Sequence, residues 1–180
     1  MLLYLLHAYD WVATLVRFFY QYGVTGKHKA MIVDMDGTLV DTSSLHDLLR
    51  EIRRPDGTWD RDGLLQFNER TRECPAIWET VDICEGYWSQ GIDVVVMTAR
   101  EEKHRSLTKT WLHKYCVPYK ALYMRADGDL RSDREIKKDL LEEVREYWDV
   151  VFAIDDNPSI IELWKDEGIE TRTVPGWLSV

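Results

Sequence analysis

Asp34 and Asp36 stand one residue apart, directly after the apolar run Met31-Ile32-Val33 and just before Gly37-Thr38. Two carboxylates on one loop repel each other. A chain that keeps them together gains a hard-cation site, an acid/base pair, or both. Alone, D-x-D-G is also common turn chemistry. Three further pieces at suitable places favour the functional reading. The run Ile92 to Met97 ends in Thr98-Ala99-Arg100, and Val150 to Ile154 ends in Asp155-Asp156-Asn157-Pro158. Between them, Lys137 lies early in a helix announced by the capping box Ser132-x-x-Glu135. A nucleophilic acid, a hydroxyl, a lysine and an acidic pair, each after a strand or early in a helix, compose one phosphate-and-metal site.

The elements that must position these groups follow from the hydrophobic pattern. The runs ending at Val33, Met97 and Ile154 are short and, Asp93 apart, apolar, as strands buried on both faces are. Ala121 to Met124 and Ile169 to Val174 add two more. Helices are expected from Ser44, as the cap, through Arg53, then over Asp60–Glu73, Pro75–Gln90, 101–116, Glu135–Trp148 and Asn157–Glu167, with Pro55-Asp56-Gly57 as a turn. Inward faces are read as Ile77, Val81, Cys84 and Trp88; Leu107, Trp111 and Tyr115; and Ile136, Leu140, Leu141, Val144 and Tyr147. Strands alternating with helices imply an α/β fold of three layers, a central parallel sheet with helices on both faces. Acids at the carboxyl ends of such strands sit where open sheets bind ligands.

Length and composition agree. The chain has 180 residues, 45% of them hydrophobic and eight of them Trp, enough for one domain with a small insert. Its formal charge of −9 argues against indiscriminate coating of nucleic acid, which needs clustered Lys and Arg. Cys74, Cys84 and Cys116 form an odd set without metal-binding spacing, read as core thiols of a reducing, cytoplasmic setting. His104 and His113 lack ligand neighbours, and Arg50, Arg53 and Arg54 read as a solvated helix face. Trp59 and Phe67 read as packing within the insert.

Residues 1–26 stand apart as an apolar segment and linker, with Gly23 to Lys29 leading into the first strand. Within it, His7, Asp10, Thr14, Arg17 and Gln21 recur at helical spacing and would make one narrow polar stripe. There is no basic n-region or small-residue cleavage site, so a signal peptide is disfavoured. Asp10 and Arg17 near the middle would each cost a membrane span roughly 2.5–3.5 kcal/mol. The favoured reading is a helix packed on its own domain or in a homo-oligomer, with an interfacial membrane helix as the main rival.

The four-part set resembles the signature motifs of the haloacid dehalogenase (HAD) superfamily of phosphotransferases. That resemblance implies a Mg²⁺-dependent phosphomonoesterase. Asp34 would attack phosphorus and form an aspartyl-phosphate. Asp36 would protonate the leaving oxygen and then take a proton from the hydrolytic water. Thr98 and Lys137 would bind the phosphoryl oxygens. Asp34, Asp155 and a backbone carbonyl would hold the metal, within an acid set that also includes Asp36 and Asp156, the latter ranked below Asp155. An acid at position 36 favours a phosphatase over a dehalogenase or a transport ATPase.

A closer resemblance runs from about Lys29 to Val174. The strings Val95-Val96-Met97-Thr98-Ala99-Arg100-Glu101, Thr110-Trp111-Leu112 and Val117-Pro118-Tyr119 are similar to the phosphatase domain of polynucleotide kinase–phosphatase enzymes. So are Leu122-Tyr123-Met124-Arg125, Gly128-Asp129-x-Arg131-x-Asp133-x-x-x-Lys137, Ala153-Ile154-Asp155-Asp156-Asn157, and Glu162-Leu163-Trp164 with Gly168. The resemblance implies removal of a 3′-phosphate from a polynucleotide end, with Arg100 and Arg125 contacting substrate and Asp129 and Asp133 holding those arginines. The domain is read as residues 27–180, with a helical cap insert at about 43–74 that would restrict entry if it closes. Gly23-Val24-Thr25-Gly26-Lys27-His28 is not a P-loop, so the expectation is a phosphatase without its kinase partner. A 5′-nucleotidase or a small-metabolite phosphatase is the alternative. A catalytically quiet binding or assembly module is disfavoured, because a retired site has no physical reason to keep repelling carboxylates together.

Overall fold

The computed structural model describes residues 26–55 and 59–176. The apolar segment, its polar stripe and most of its linker therefore lie outside the described residues, as do Asp56 and Gly57. Five parallel strands form the sheet: β1 His28–Val33, β2 Asp93–Glu101, β3 Ala121–Arg125, β4 Trp148–Asp155 and β5 Glu170–Thr173. Their spatial order is β3-β2-β1-β4-β5. The chain moves outward from β1 to β3, then returns to lay β4 on the other side of β1. The carboxyl ends of β1 and β4 therefore flank the point where strand order reverses, the natural crevice of such a sheet.

Among the described residues, six helices accompany the strands: α1 His46–Ile52, α2 Arg61–Arg70, α3 Trp78–Ser89, α4 Arg105–Lys114, α5 Asp133–Tyr147 and α6 Pro158–Asp166. Successive strand residues point to opposite faces, and the cores divide accordingly. Met31, Val33, Val94 and Val96 face Val81 and Cys84 of α3 and Trp111 and Leu112 of α4. Ala30, Ile32, Val95 and Met97 face Ile136, Leu140, Leu141 and Val144 of α5 and Leu163 and Trp164 of α6. This is the three-layer arrangement expected from the sequence. Helices α1 and α2 contact each other between β1 and α3, and Leu45, Ile52 and Phe67 join them to the first core.

Several local expectations are corrected. Ser44 caps no helix: Ser43–Leu45 forms a 3₁₀ turn, and the Ser44 hydroxyl faces the Cys74 thiol instead. The first strand begins at His28, inside the expected linker. Strand β2 runs on through Thr98 and Arg100 to Glu101, so a 3₁₀ turn over Glu102–His104 precedes α4. Trp88 and Tyr147 are exposed rather than inward, and both stand in the last turn of their helices. Cys116 is exposed with a φ of 53°, a turn position rather than a core one. Cys74 and Cys84 are buried as expected, and burial pushes the Cys84 thiol up to about 12.

The capping box of α5 forms as read. The Glu135 N–H donates to Ser132 Oγ at 3.3 Å, and the Ser132 N–H donates to Glu135 Oε2 at 3.0 Å. Because this cap fixes the helix that carries Lys137, Ser132→Ala tests how far the site depends on it. Its loss is expected to cost about 1 kcal/mol and lower the thermal midpoint by a few degrees. Thermal unfolding by circular dichroism reads the change.

Candidate active site

The loop after β1 is built around one carbonyl. The N–H groups of Thr38, Leu39 and Val40 all donate to Met35 O, at 3.3, 2.9 and 2.8 Å. Gly37 takes a φ of 81°, and a side chain there would begin 2.0 Å from Asp156 Oδ2. Glycine is therefore required both for the turn and for the approach of Asp156. The Asp34 N–H donates to Ile154 O at 3.1 Å, tying the end of β1 to the end of β4.

This brings Asp34, Asp155 and Asp156 together, all buried, with one carboxylate oxygen from each inside a 4.8 Å cluster. Lys137 reaches in from α5. Its Nζ donates to Asp34 Oδ1 and to Asp155 Oδ2, each at 2.7 Å. Thr38 Oγ1 donates to Asp156 Oδ1 at 3.4 Å, and the Asn157 N–H donates to Asp155 Oδ1 at 3.1 Å. Thr98 is buried at the same end of the sheet, where β2 leaves its pairing with β1.

Three buried carboxylates face one ammonium, so negative charge is in excess. Burial pushes the Asp34 carboxyl up to about 7, against the lowering pull of Lys137 and with help from Asp155. Burial, then Asp34 and Asp155, push Asp156 up to about 8. Burial disfavours the Lys137 charge, yet Asp155 and Asp34 outweigh it and hold the ammonium above the ordinary lysine range. An all-oxygen, anionic and buried donor set suits a hard divalent cation such as Mg²⁺.

The expected pH dependence follows. In the unfolded chain these acids lose their protons near the ordinary value of 3.8, whereas in the fold Asp34 and Asp156 keep them to about 7 and 8. Between those limits the native state binds more protons, so the metal-free protein loses stability as pH rises through that window. A cation competes with those protons. The rise in thermal midpoint on adding Mg²⁺ is expected to be small at pH 6 and larger at pH 8.5, read by scanning fluorimetry. An equal shift at both values would exclude these carboxylates as its ligands.

Asp36 occupies a different place from the other three acids. Arg100 grips it with two nitrogens, Nε to Oδ2 at 2.7 Å and Nη2 to Oδ1. The carboxylate that was expected among the metal ligands is thus directed at a guanidinium, outside the buried trio. Arg100 also donates from Nη1 to Thr108 Oγ1 at 3.2 Å and from Nη2 to Thr71 Oγ1 at 3.0 Å. Its side chain is 2% exposed and forms a buried clamp on Asp36.

Arg125 is similarly committed. Its Nε donates to Ala99 O at 2.8 Å, its Nη1 to the carbonyls of Asp129 and Arg131, and its Nη2 to the Asp133 carboxylate. It fastens the loop before α5 to the Thr98–Arg100 stretch. Asp133 holds Arg125 as expected, but the Asp129 carboxylate binds Arg131 instead, at 2.7 Å. Neither acid holds Arg100. Thr71 and Thr108 escaped the sequence reading, since lone threonines separated from Arg100 along the chain carry no pattern.

The family model of the polynucleotide kinase PNKP phosphatase domain matches residues 28–175. The chain belongs to this family. It is a PNKP-type phosphatase domain of HAD fold. Two solved structures, of the Pnkp1/Rnl/Hen1 complex and of the Pnkp1/Rnl/Hen1 RNA repair complex, contain chains 27% and 28% identical to it, with TM-scores of 0.65 and 0.66. They match 81% and 87% of this chain, which spans 45% of the matched chain in each. A class C acid phosphatase from Bacillus anthracis, 18% identical, shares the fold with a TM-score of 0.62 over 85% of this chain and 68% of its own. Among the described residues of the PNKP-type domain, no helix is long and apolar enough to cross a membrane.

Proposed function

We propose that this PNKP-type domain removes terminal phosphate, the 3′-phosphate above all, from polynucleotide ends through an aspartyl-phosphate on Asp34. The observation that carries the reading is the buried trio Asp34, Asp155 and Asp156 with Lys137 between two of them, at the switch point of a PNKP-family fold. Asp34, Asp155 and Asp156 are the residues to hold Mg²⁺. When bound, that ion cancels the repulsion between the attacking carboxylate and a phosphate dianion.

The chain's own residues do the rest. Asp34 Oδ attacks phosphorus in line with the leaving oxygen. Lys137 and the Thr98 hydroxyl bind the non-bridging oxygens, the lysine as a point charge and the threonine as a donor. Asp36, aimed by Arg100, hands a proton to the leaving oxygen and later withdraws one from the water that cleaves the aspartyl-phosphate. Helices α1 and α2 form a small cap beside the site, within a domain extending from about residue 27.

The polynucleotide part of the proposal rests on the family match and on likeness to chains of an RNA repair complex. Turnover on 3′-phosphorylated oligonucleotides, 5′-phosphorylated ones and free mononucleotides tests it. The 3′-phosphorylated oligonucleotides should give the highest kcat/KM. Raising salt should raise their KM several-fold while leaving mononucleotide KM nearly constant, because flanking backbone contacts are screened. Equal salt effects with faster mononucleotide turnover would make the enzyme a nucleotidase.

A further inference from the structure

Arg100 is a buried cation, and one of its acceptors comes from outside the sheet and its flanking helices. Thr71 begins the 3₁₀ turn Thr71–Glu73 that closes the insert between β1 and α3, and it is fully buried. Its hydroxyl proton is committed to Asn68 O at 2.7 Å, near the end of α2. With that proton fixed, a lone pair is left for the Arg100 Nη2 at 3.0 Å. The same nitrogen donates to Asp36 Oδ1, so the hydroxyl and the carboxylate share one donor group and orient each other through it.

We propose that Thr71 is a positioning residue for the phosphatase reaction, fixing the Arg100 guanidinium so that Arg100 aims the Asp36 carboxyl at the leaving oxygen. The assignment rests on the reading above of Asp36 as the proton-transfer group. In the step concerned, an Asp34 oxygen forms its bond to phosphorus as the phosphorus–oxygen bond to the leaving group breaks, and the Asp36 proton ends on the leaving oxygen. A misaimed Asp36 slows that step only where the leaving group needs the proton. A sugar alkoxide needs it; p-nitrophenolate, stable at neutral pH, does not. Because the insert supplies the hydroxyl, a displacement of α2 breaks this link and is felt at the acid.

The experiment compares Thr71→Val, nearly the same shape without the hydroxyl, with Thr71→Ser, which keeps it. Leaving-group release is measured in single turnovers on two substrates: p-nitrophenyl phosphate and whichever sugar phosphate the wild type turns over fastest. That choice separates a wrong polynucleotide assignment from a wrong role for Thr71. The valine variant is expected to release the sugar about tenfold more slowly, the cost of losing one hydrogen bond to a buried charge, with KM little changed. Release of p-nitrophenolate should stay within about twofold, and the serine variant should match the wild type on both substrates. Equal slowing on both substrates would reduce Thr71 to a structural residue. No slowing, or a serine variant as slow as the valine one, would equally overturn the proposal. Should the valine variant fail to fold, Thr71→Ala gives the same reading.

Discussion

Asp34→Asn is expected to abolish phosphatase turnover while leaving the fold intact. The amide keeps the size and hydrogen-bonding reach of the carboxylate but is a poor nucleophile and a weaker metal ligand. The loss should be at least about a thousandfold in kcat on any substrate. Stability argues in the opposite direction. Burial makes ionised Asp34 costly, pushing its carboxyl up to about 7, and Asp155 beside it adds to that cost. A neutral side chain removes one of three mutually repelling acids while Lys137 keeps its bond to Asp155. The variant should therefore unfold no lower than the wild type at pH 8 without metal, as expected where function is maintained at the expense of stability. Retained turnover on p-nitrophenyl phosphate would overturn the mechanism. An inactive variant that is also unfolded would show that Asp34 serves the fold.

The parts of this site legible in the sequence are those in which chemistry sits directly beside an element. Asp34 follows the apolar run of β1, Asp155 ends that of β4, and Lys137 lies in the opening turns of a helix with its own cap signal. In each case, local pattern fixes which end of the sheet the side chain occupies. Helix ends were less legible where the chain turns without a side-chain cap, as at Ser43–Leu45 and Glu102–His104.

What could not be read is the pairing of charges across long sequence separations. An arginine after a strand looks like a phosphate ligand. Nothing local shows that the Asp36 carboxylate lies within 2.7 Å of Arg100, or that Thr71 and Thr108 complete its set of acceptors. The partners of Arg125 are hidden for the same reason, since they are mostly backbone carbonyls, which have no signature in a sequence. Pairing also separates the acids: Asp36 is held by the Arg100 guanidinium, whereas Asp34 and Asp155 share the Lys137 ammonium and gather with Asp156 into one buried cluster.

Removing Lys137 should have the largest effect on the fold. Its ammonium is buried, bonded at 2.7 Å to both Asp34 and Asp155, and is the one cation hydrogen-bonded to the trio among the described residues. In Lys137→Met the aliphatic stem is retained and the charge is lost, so the defect is electrostatic rather than a cavity. Breaking a buried pair by deleting one partner typically costs about 3–5 kcal/mol, because the remaining charge stays buried and uncompensated. Here two carboxylates lose their partner at once. The acids can respond by holding protons to still higher pH, which sets the sign of the pH effect. Protonated acids no longer repel, so the variant should be most stable near pH 6 and should lose stability as pH rises through the range where Asp34 and Asp156 titrate, about 7 to 8 in the wild type. Mg²⁺ offers the other route to neutralisation and should raise the variant's thermal midpoint at pH 8 by more than it raises the wild type's. Turnover should remain far below the wild type even when Mg²⁺ restores the fold, since the ion does not replace the contact with the phosphoryl oxygens proposed for the lysine. A Lys137→Met protein as stable as the wild type at pH 8 without metal would mean that the three acids are not held together by this charge.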